Sequence, residues 1–259
     1  MKFLDVDGLG RVGRVGLGAW QFGSRGWGYG DAYASKGAAE IVARALELGV
    51  NFFDTAEIYG TGASERILSA ALGDARTEVL VASKLFPIAP FPAIVRRREA
   101  GSARRLRLDT ISLYQVHWPN PLIPDSVIMP GLRRLRDEGR IGAVGVSNYP
   151  LARWQQADRA LGRPVVSNQV QFSLASSAPA DDLVPFAARE GRMIIAYSPL
   201  AQGLLGGKYD ADHRPGGVRA MNPLFSPRNL GRATPLLDLL RGVAATQDVE
   251  PAQVAPAWL

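Results

Sequence analysis

The chain has 259 residues, 47% of them hydrophobic, enough to bury the core of one large α/β domain or two small ones. It contains no cysteine, which excludes disulfides and thiolate metal sites, and the N-terminal Asp5 sits where a signal peptide would carry its apolar run. The net charge of +6 rests on 26 arginines and only four lysines, Lys2, Lys36, Lys84 and Lys208, and no stretch approaches the ~18 apolar residues of a membrane span. A cytoplasmic protein without a membrane partner is expected. The densest basic run, Arg96-Arg97-Arg98 with Arg104, Arg105 and Arg107, has no interleaved aromatics and reads as a solvated helix face, with no nucleic-acid partner expected.

Residues 1–14 read as a hairpin turning at Asp7-Gly8. A rhythm follows. Val15 to Trp20 is a glycine-rich strand, and Ile41, Val42, Ala45, Leu46 and Leu48 recur at helical spacing before Gly49. Val50 to Phe53 is the next strand, Ile67, Leu68, Ala71 and Leu72 mark a helix ended by Gly73, and Val79 to Ala82 is a continuous apolar run of the kind buried on both faces of a parallel sheet. Beyond a proline-rich loop, Pro87 to Pro92, a helix from about Ala93 to Leu106 leads to the strand Ile111 to Val116. Ile128, Leu132 and Leu135 then mark a helix before the strand Ile141 to Val146. A helix around Leu151 and Trp154, the strand Val165 to Val170, a helix from Asp181 to Glu190 and a seventh strand, Met193 to Ala196, complete the series. Gly203 to Pro235 shows no period and reads as a long loop, after which Leu236, Leu240 and Val243 begin a helix and Pro251 starts another. Repeated right-handed βα units without a linker predict a single α/β domain spanning 1–259, a (β/α)₈ TIM barrel with an N-terminal hairpin. Seven barrel strands are countable, so the eighth strand and helix are expected to be missing from this chain and the domain to be C-terminally incomplete.

In such barrels chemistry gathers where strands end and loops begin. Those positions hold Asp54 after the second strand, Tyr59 in its loop, Lys84 after the third and His117 after the fourth. Singly each has an ordinary reading: a loop cap, a turn tyrosine, a lysine reaching the rim, a satisfied core histidine. Together they suit proton transfer. A phenol donates poorly to a carbonyl oxygen unless its anion is stabilised, which a neighbouring ammonium does, while a carboxylate keeps that ammonium charged and a histidine donates to the substrate oxygen. The set lacks a nucleophile and a metal cluster, and it suits proton transfer to an oxygen whose carbon receives a hydride from elsewhere.

The stretch Phe53-Asp54-Thr55-Ala56-Glu57-Ile58-Tyr59-Gly60 with Ser64-Glu65 resembles the signature of the aldo-keto reductase superfamily. Ser83-Lys84, Leu113 to His117, Gly145-Val146-Ser147-Asn148, Asn168-Gln169-Val170 and Tyr197-Ser198-Pro199-Leu200 are similar to its later blocks, in the same order and across essentially the whole chain. The resemblance implies an NADPH-dependent reductase of small-molecule aldehydes and ketones, with Tyr59 as general acid, Lys84 and Asp54 tuning it, and His117 orienting the carbonyl. It implies that Ser147, Asn148 and Gln169 hold the nicotinamide carboxamide, that Tyr197 stacks on its ring, and that Ser198, Leu200, Gln202 and Gly203 lie where a loop wraps the pyrophosphate. The Gly203 to Tyr209 loop resembles the branch containing bacterial reductases and potassium-channel β subunits. Without the resemblance Ser147-Asn148 reads as an N-cap, Gln169 as a buried amide and Tyr197 as a core aromatic. Trp20, Phe22, Phe86 and Trp118 are the apolar residues expected to wall a substrate pocket.

The departure from the family is the segment beyond Ala257-Trp258-Leu259, where its members carry the 2′-phosphate and adenine site. A non-catalytic or cofactor-sensing protein, an inactive truncated reductase, and an aldolase-like barrel with Lys84 as Schiff-base amine are the other readings. Substrate, preference between NADPH and NADH, and oligomeric state are not expected from the residues present.

Overall fold

The computed structural model describes residues 1–23, 37–210 and 213–259. Strands β1 (Phe3–Val6) and β2 (Gly10–Gly13) form the expected antiparallel hairpin. Asn51 fastens it from the loop before the barrel's second strand: its Oδ1 accepts from the Gly13 N–H and its Nδ2 donates to the Arg11 carbonyl, both at 2.8 Å.

Strands and helices then alternate. They run β3 (Leu17–Gly18), α1 (Ala38–Glu47), β4 (Phe52–Asp54), α2 (Ala63–Leu72), β5 (Leu80–Leu85), α3 (Pro92–Leu106), β6 (Ile111–Val116), α4 (Asp125–Asp137), β7 (Ile141–Ser147), α5 (Leu151–Leu161), β8 (Ser167–Gln171), α6 (Leu183–Arg189) and β9 (Met193–Tyr197). The sheet order β3-β4-β5-β6-β7-β8-β9 follows the chain, with parallel pairing from β3 through β8, the arrangement of a (β/α)₈ barrel. β5, β6 and β7 are buried almost throughout, as strands covered on both faces must be. Among the described residues no helix is long and apolar enough to cross a membrane.

Several boundaries differ from the sequence reading. The glycine-rich first strand shrinks to two residues and is followed by a 3₁₀ turn at Trp20–Gly23; a Cβ at Gly16 would lie 2.8 Å from Phe52 Cδ1, so close approach rather than strand length explains that glycine. β4 begins at Phe52 and includes Asp54, so the carboxylate belongs to the strand's last residue. The helix expected from Asp181 to Glu190 is shorter, with a separate 3₁₀ turn at Ala178–Ala180 ahead of it.

The larger correction concerns the long loop. A helix, α7 (Pro227–Gln247), begins well before Pro235, which lies inside it. Ser226 caps it by accepting from the Asn229 N–H at 3.3 Å, and Pro227 occupies the first turn, where its missing N–H costs no bond. The last helix, α8 (Pro251–Ala257), starts in a capping box in which the Glu250 N–H donates to Gln253 Oε1 at 2.9 Å. Pro256 stands beside its final residue, so the cost expected of an interior proline reduces to one forgone bond in the last turn.

The chain divides into two compact units, residues 1–169 with 186–194 and residues 170–185 with 195–259. In the first, Trp154 is fully buried, donates from Nε1 to the Val165 carbonyl at 3.0 Å, and meets Phe186 edge-on at 5.2 Å. The second has its own core of Leu204, Leu205, Phe225, Leu230, Leu237 and Leu240, with Tyr209 packed edge-on against Phe225.

Candidate active site

β4 delivers Asp54 at its end, and the backbone there is locked from both sides: the Ala19 N–H donates to the Asp54 carbonyl at 2.7 Å and the Thr55 N–H to the Ala82 carbonyl at 2.9 Å. The loop beyond returns Tyr59 over the strand end. Its path depends on two glycines in contact. A Cβ on Gly60, which sits at φ 57°, would collide with the Gly23 carbonyl, and one on Gly23 would lie 2.7 Å from the Tyr59 carbonyl. Ser64 supports the same loop, sharing a 2.8 Å hydrogen bond with the Thr55 hydroxyl and donating to the Ala19 carbonyl at 2.6 Å.

Lys84 on β5 is fully buried, and all three ammonium protons are directed. Nζ donates to Asp54 Oδ1 at 2.5 Å, to the Thr55 carbonyl at 2.8 Å and to Tyr59 Oη at 3.3 Å. Burial works against this charge, but the Asp54 carboxylate and the Tyr59 oxygen outweigh it, and Lys84 holds its proton above the ordinary lysine value. Asp54 Oδ2 accepts from two amides, Gln169 Nε2 at 3.0 Å and Gln115 Nε2 at 3.3 Å.

His117 follows β6, its N–H donating to the Leu85 carbonyl at 3.0 Å, and its ring meets Tyr59 edge-on at 5.5 Å. Burial, seconded by the Lys84 charge, pulls His117 down to about 3, so the imidazole is neutral at ordinary pH. Its Nδ1 is buried without a protein partner. A buried N–H without an acceptor is the costlier state, which favours the tautomer with the proton on Nε2.

The structure thus brings together Asp54, Tyr59, Lys84 and His117, which the sequence separates widely. Trp20 lies 6.5 Å from Tyr59, and Trp118 lies 4.6 Å from His117 and 5.0 Å from Phe86, ring centre to ring centre. Phe22 departs from the others: it is 6% exposed. Ser147 Oγ donates to the Gln169 carbonyl at 2.9 Å, and Asn148, at φ 60°, donates from Nδ2 to Ser147 Oγ at 3.0 Å. Tyr197, Ser198, Leu200, Gln202 and Gly203 belong to the second unit. There Ser198, Gln202 and Gly203 have positive φ, Gln202 Oε1 accepts from Asn222 Nδ2 at 3.0 Å, and Tyr197 is partly exposed.

Sequence reasoning missed several supports. The Glu57 carboxylate, inside the opening motif, accepts from the Phe86 N–H at 2.5 Å and from Arg98 at 3.0 Å. Glu65 is fully buried and accepts from Ser83 Oγ at 2.6 Å and from Arg105. A fully buried glutamate needs a cation, and Arg105 of α3 supplies it.

The Aldo/keto reductase family profile matches residues 14–259. The chain belongs to the aldo/keto reductase family. An uncharacterised oxidoreductase of Mycobacterium bovis is 68% identical over 259 residues, all of this chain and 80% of that protein. The structure of the glycerol dehydrogenase AKR11B4 from Gluconobacter oxydans superposes with a TM-score of 0.86 at 29% identity, over 96% of this chain and 80% of that one. An aldo/keto reductase from Klebsiella pneumoniae, solved in complex with NADP and acetate, gives a TM-score of 0.76 at 27% identity over 99% of this chain and 80% of its own. Aldo/keto reductase membership makes the chain an oxidoreductase on a (β/α)₈ fold, and nicotinamide cofactors are bound by structural neighbours of the family.

Proposed function

We propose that the chain reduces aldehydes and ketones to alcohols with NADPH, Tyr59 donating the proton. The observation that carries this reading is the Lys84 ammonium, which reaches Asp54 and Tyr59 at once. Because Tyr59 Oη accepts from Lys84, its own O–H is directed to a different acceptor. A phenolate formed on donation has a fixed positive charge beside it, and the ammonium stays protonated because Asp54 holds it. Neutral His117, with its proton on Nε2, is a hydrogen-bond donor for a carbonyl oxygen that gains negative charge.

The first unit's polar groups fit a carboxamide. Gln169 spends its Nε2 on Asp54, leaving Oε1 to accept, while the Ser147 and Asn148 side chains add a hydroxyl and a second amide. A nicotinamide cofactor held by these residues would supply hydride chemistry, and Tyr59 supplies the proton to the carbonyl oxygen. The preference for the phosphorylated cofactor rests on the resemblance and on the NADP complex of the Klebsiella enzyme. The protonated, triply bonded state of Lys84 counts against a Schiff-base amine, which must lose its proton to attack.

The test is NADPH oxidation with a panel of aldehydes and ketones, compared with Tyr59→Phe. Turnover should fall by about 10² to 10⁴ in the variant while NADPH still quenches tryptophan fluorescence. Wild-type protein that binds NADPH yet oxidises none with any carbonyl overturns the reading, and full activity in Tyr59→Phe overturns the choice of acid.

A further inference from the structure

We infer that Gln115 is a positioning residue, its amide setting how strongly the Asp54 carboxylate acts on Tyr59 through Lys84. The inference rests on the reading of Tyr59 as proton donor. The strand register puts Gln115 directly beside Lys84, then Gly145 beside Gln115 and Ser167 beside Gly145, so one row of inward-facing positions crosses β5 to β8 at the level of the site. Gln115 is fully buried, where packing alone calls for an apolar side chain. Its Nε2 lies 3.3 Å from Asp54 Oδ2, the oxygen that Lys84 leaves open, while its Oε1 is buried without a protein partner. The reverse amide orientation would set two oxygens against each other, so the carboxylate dictates which way Gln115 faces. An unpaired buried acceptor carries a desolvation cost, which makes Asp54 the explanation for an amide at this position.

Gly145 makes the arrangement possible. A Cβ there would overlap Ser167 Oγ and lie 2.9 Å from Gln115 Cγ, displacing the glutamine. The titratable groups around Gln115 are Asp54 from β4, Tyr59 from the loop after it, Lys84 from β5 and His117 after β6. β7 and β8 contribute Gly145, Ser147, Ser167 and Gln169, which do not titrate. The amide protons of Gln115 and Gln169 draw on the Asp54 charge at Oδ2, so more of the Lys84 charge is felt at the phenol. Without Gln115 the carboxylate opposes phenolate formation more strongly.

The test uses the full chain, free of cofactor, with tyrosine labelled at 13Cζ and the Tyr59 signal assigned by Tyr59→Phe. In Gln115→Met, similar in length but without a donor, the Tyr59 signal should titrate at higher pH than in wild type. Gly145→Ala should shift it in the same direction, and in an Asp54→Asn background Gln115→Met should leave the titration where Asp54→Asn alone puts it. A titration unmoved in Gln115→Met, with Gly145→Ala deciding if the methionine variant does not fold, overturns the proposal even if turnover falls, because lost packing alone lowers activity without that shift. The titration needs no turnover, so failure of the carbonyl-reductase reading shows separately, as wild-type protein that oxidises no NADPH. Where turnover is present, Gln115→Met should lower kcat about tenfold with less than about a twofold change in KM for NADPH.

Discussion

Four side chains separated in sequence meet because each stands at or just past the end of neighbouring strands, and β-strand spacing turns chain order into spatial order. That is why Asp54, Tyr59, Lys84 and His117 were legible: the spacing of apolar runs places strand ends, and polar residues there stand out. Gln115 and Glu57 were not, because an amide inside an apolar run and an acid in a loop carry no period. Phe22 was legible only as an aromatic near a strand end, and burial then separated it from Trp20. His117 also makes a prediction. Its folded value of about 3 lies below the ordinary 6.5, so between these pH values the unfolded chain binds a proton that the folded chain does not. Its contribution to stability is complete above about 6.5 and declines as pH falls toward 3, by at most about 1.4 kcal/mol per pH unit. Urea unfolding at stepped pH, compared with His117→Gln, should show a shallower acid slope in the variant.

Elements are joined here through buried carboxylates as well as through apolar packing. Glu65 of α2 reaches Ser83 on β5 and Arg105 on α3, and Glu99 of α3 pairs with Arg140 just before β7. Burial pushes the Glu99 carboxyl up even though Arg140 opposes it. Glu65→Ala leaves a partly buried guanidinium and a buried hydroxyl without their acceptor, so urea unfolding should show a loss of about 3–5 kcal/mol, with a smaller loss for Glu65→Gln. The positions of α2 and α4 were readable from apolar spacing, because each buries a stripe, Leu68 and Leu72 in one and Ile128, Leu132 and Leu135 in the other. The start of α7 was not, since its apolar residues are sparse before Leu236 and Pro235 mimics a boundary; the usable signal was the Ser226-Pro227 cap.

For the molecule as a whole, the basic run is more than the solvated helix face that the sequence suggests. Arg96, Arg98 and Arg105 of the basic run are paired with Glu138, Glu57 and Glu65, so α3 uses its arginines to hold neighbouring segments. Ligand linkage gives the test at this scale. If NADPH binds the folded chain, a concentration of about 100 times Kd adds about 2.7 kcal/mol, and a chain of this size should melt roughly 5–10 °C higher. A thermal scan with and without NADPH measures it, and an unchanged Tm at saturating cofactor contradicts binding.

The carboxylate of Glu57 lies in the loop that carries Tyr59, yet it grips the backbone of Phe86 and the guanidinium that stacks on that ring. The loop that carries Tyr59 and the start of the segment after β5 therefore share one anchor, and neither is independent of the other. A graft replacing the segment after β5 must transplant residues 57 and 98 with it, or the imported segment arrives without the clasp that holds its first residue.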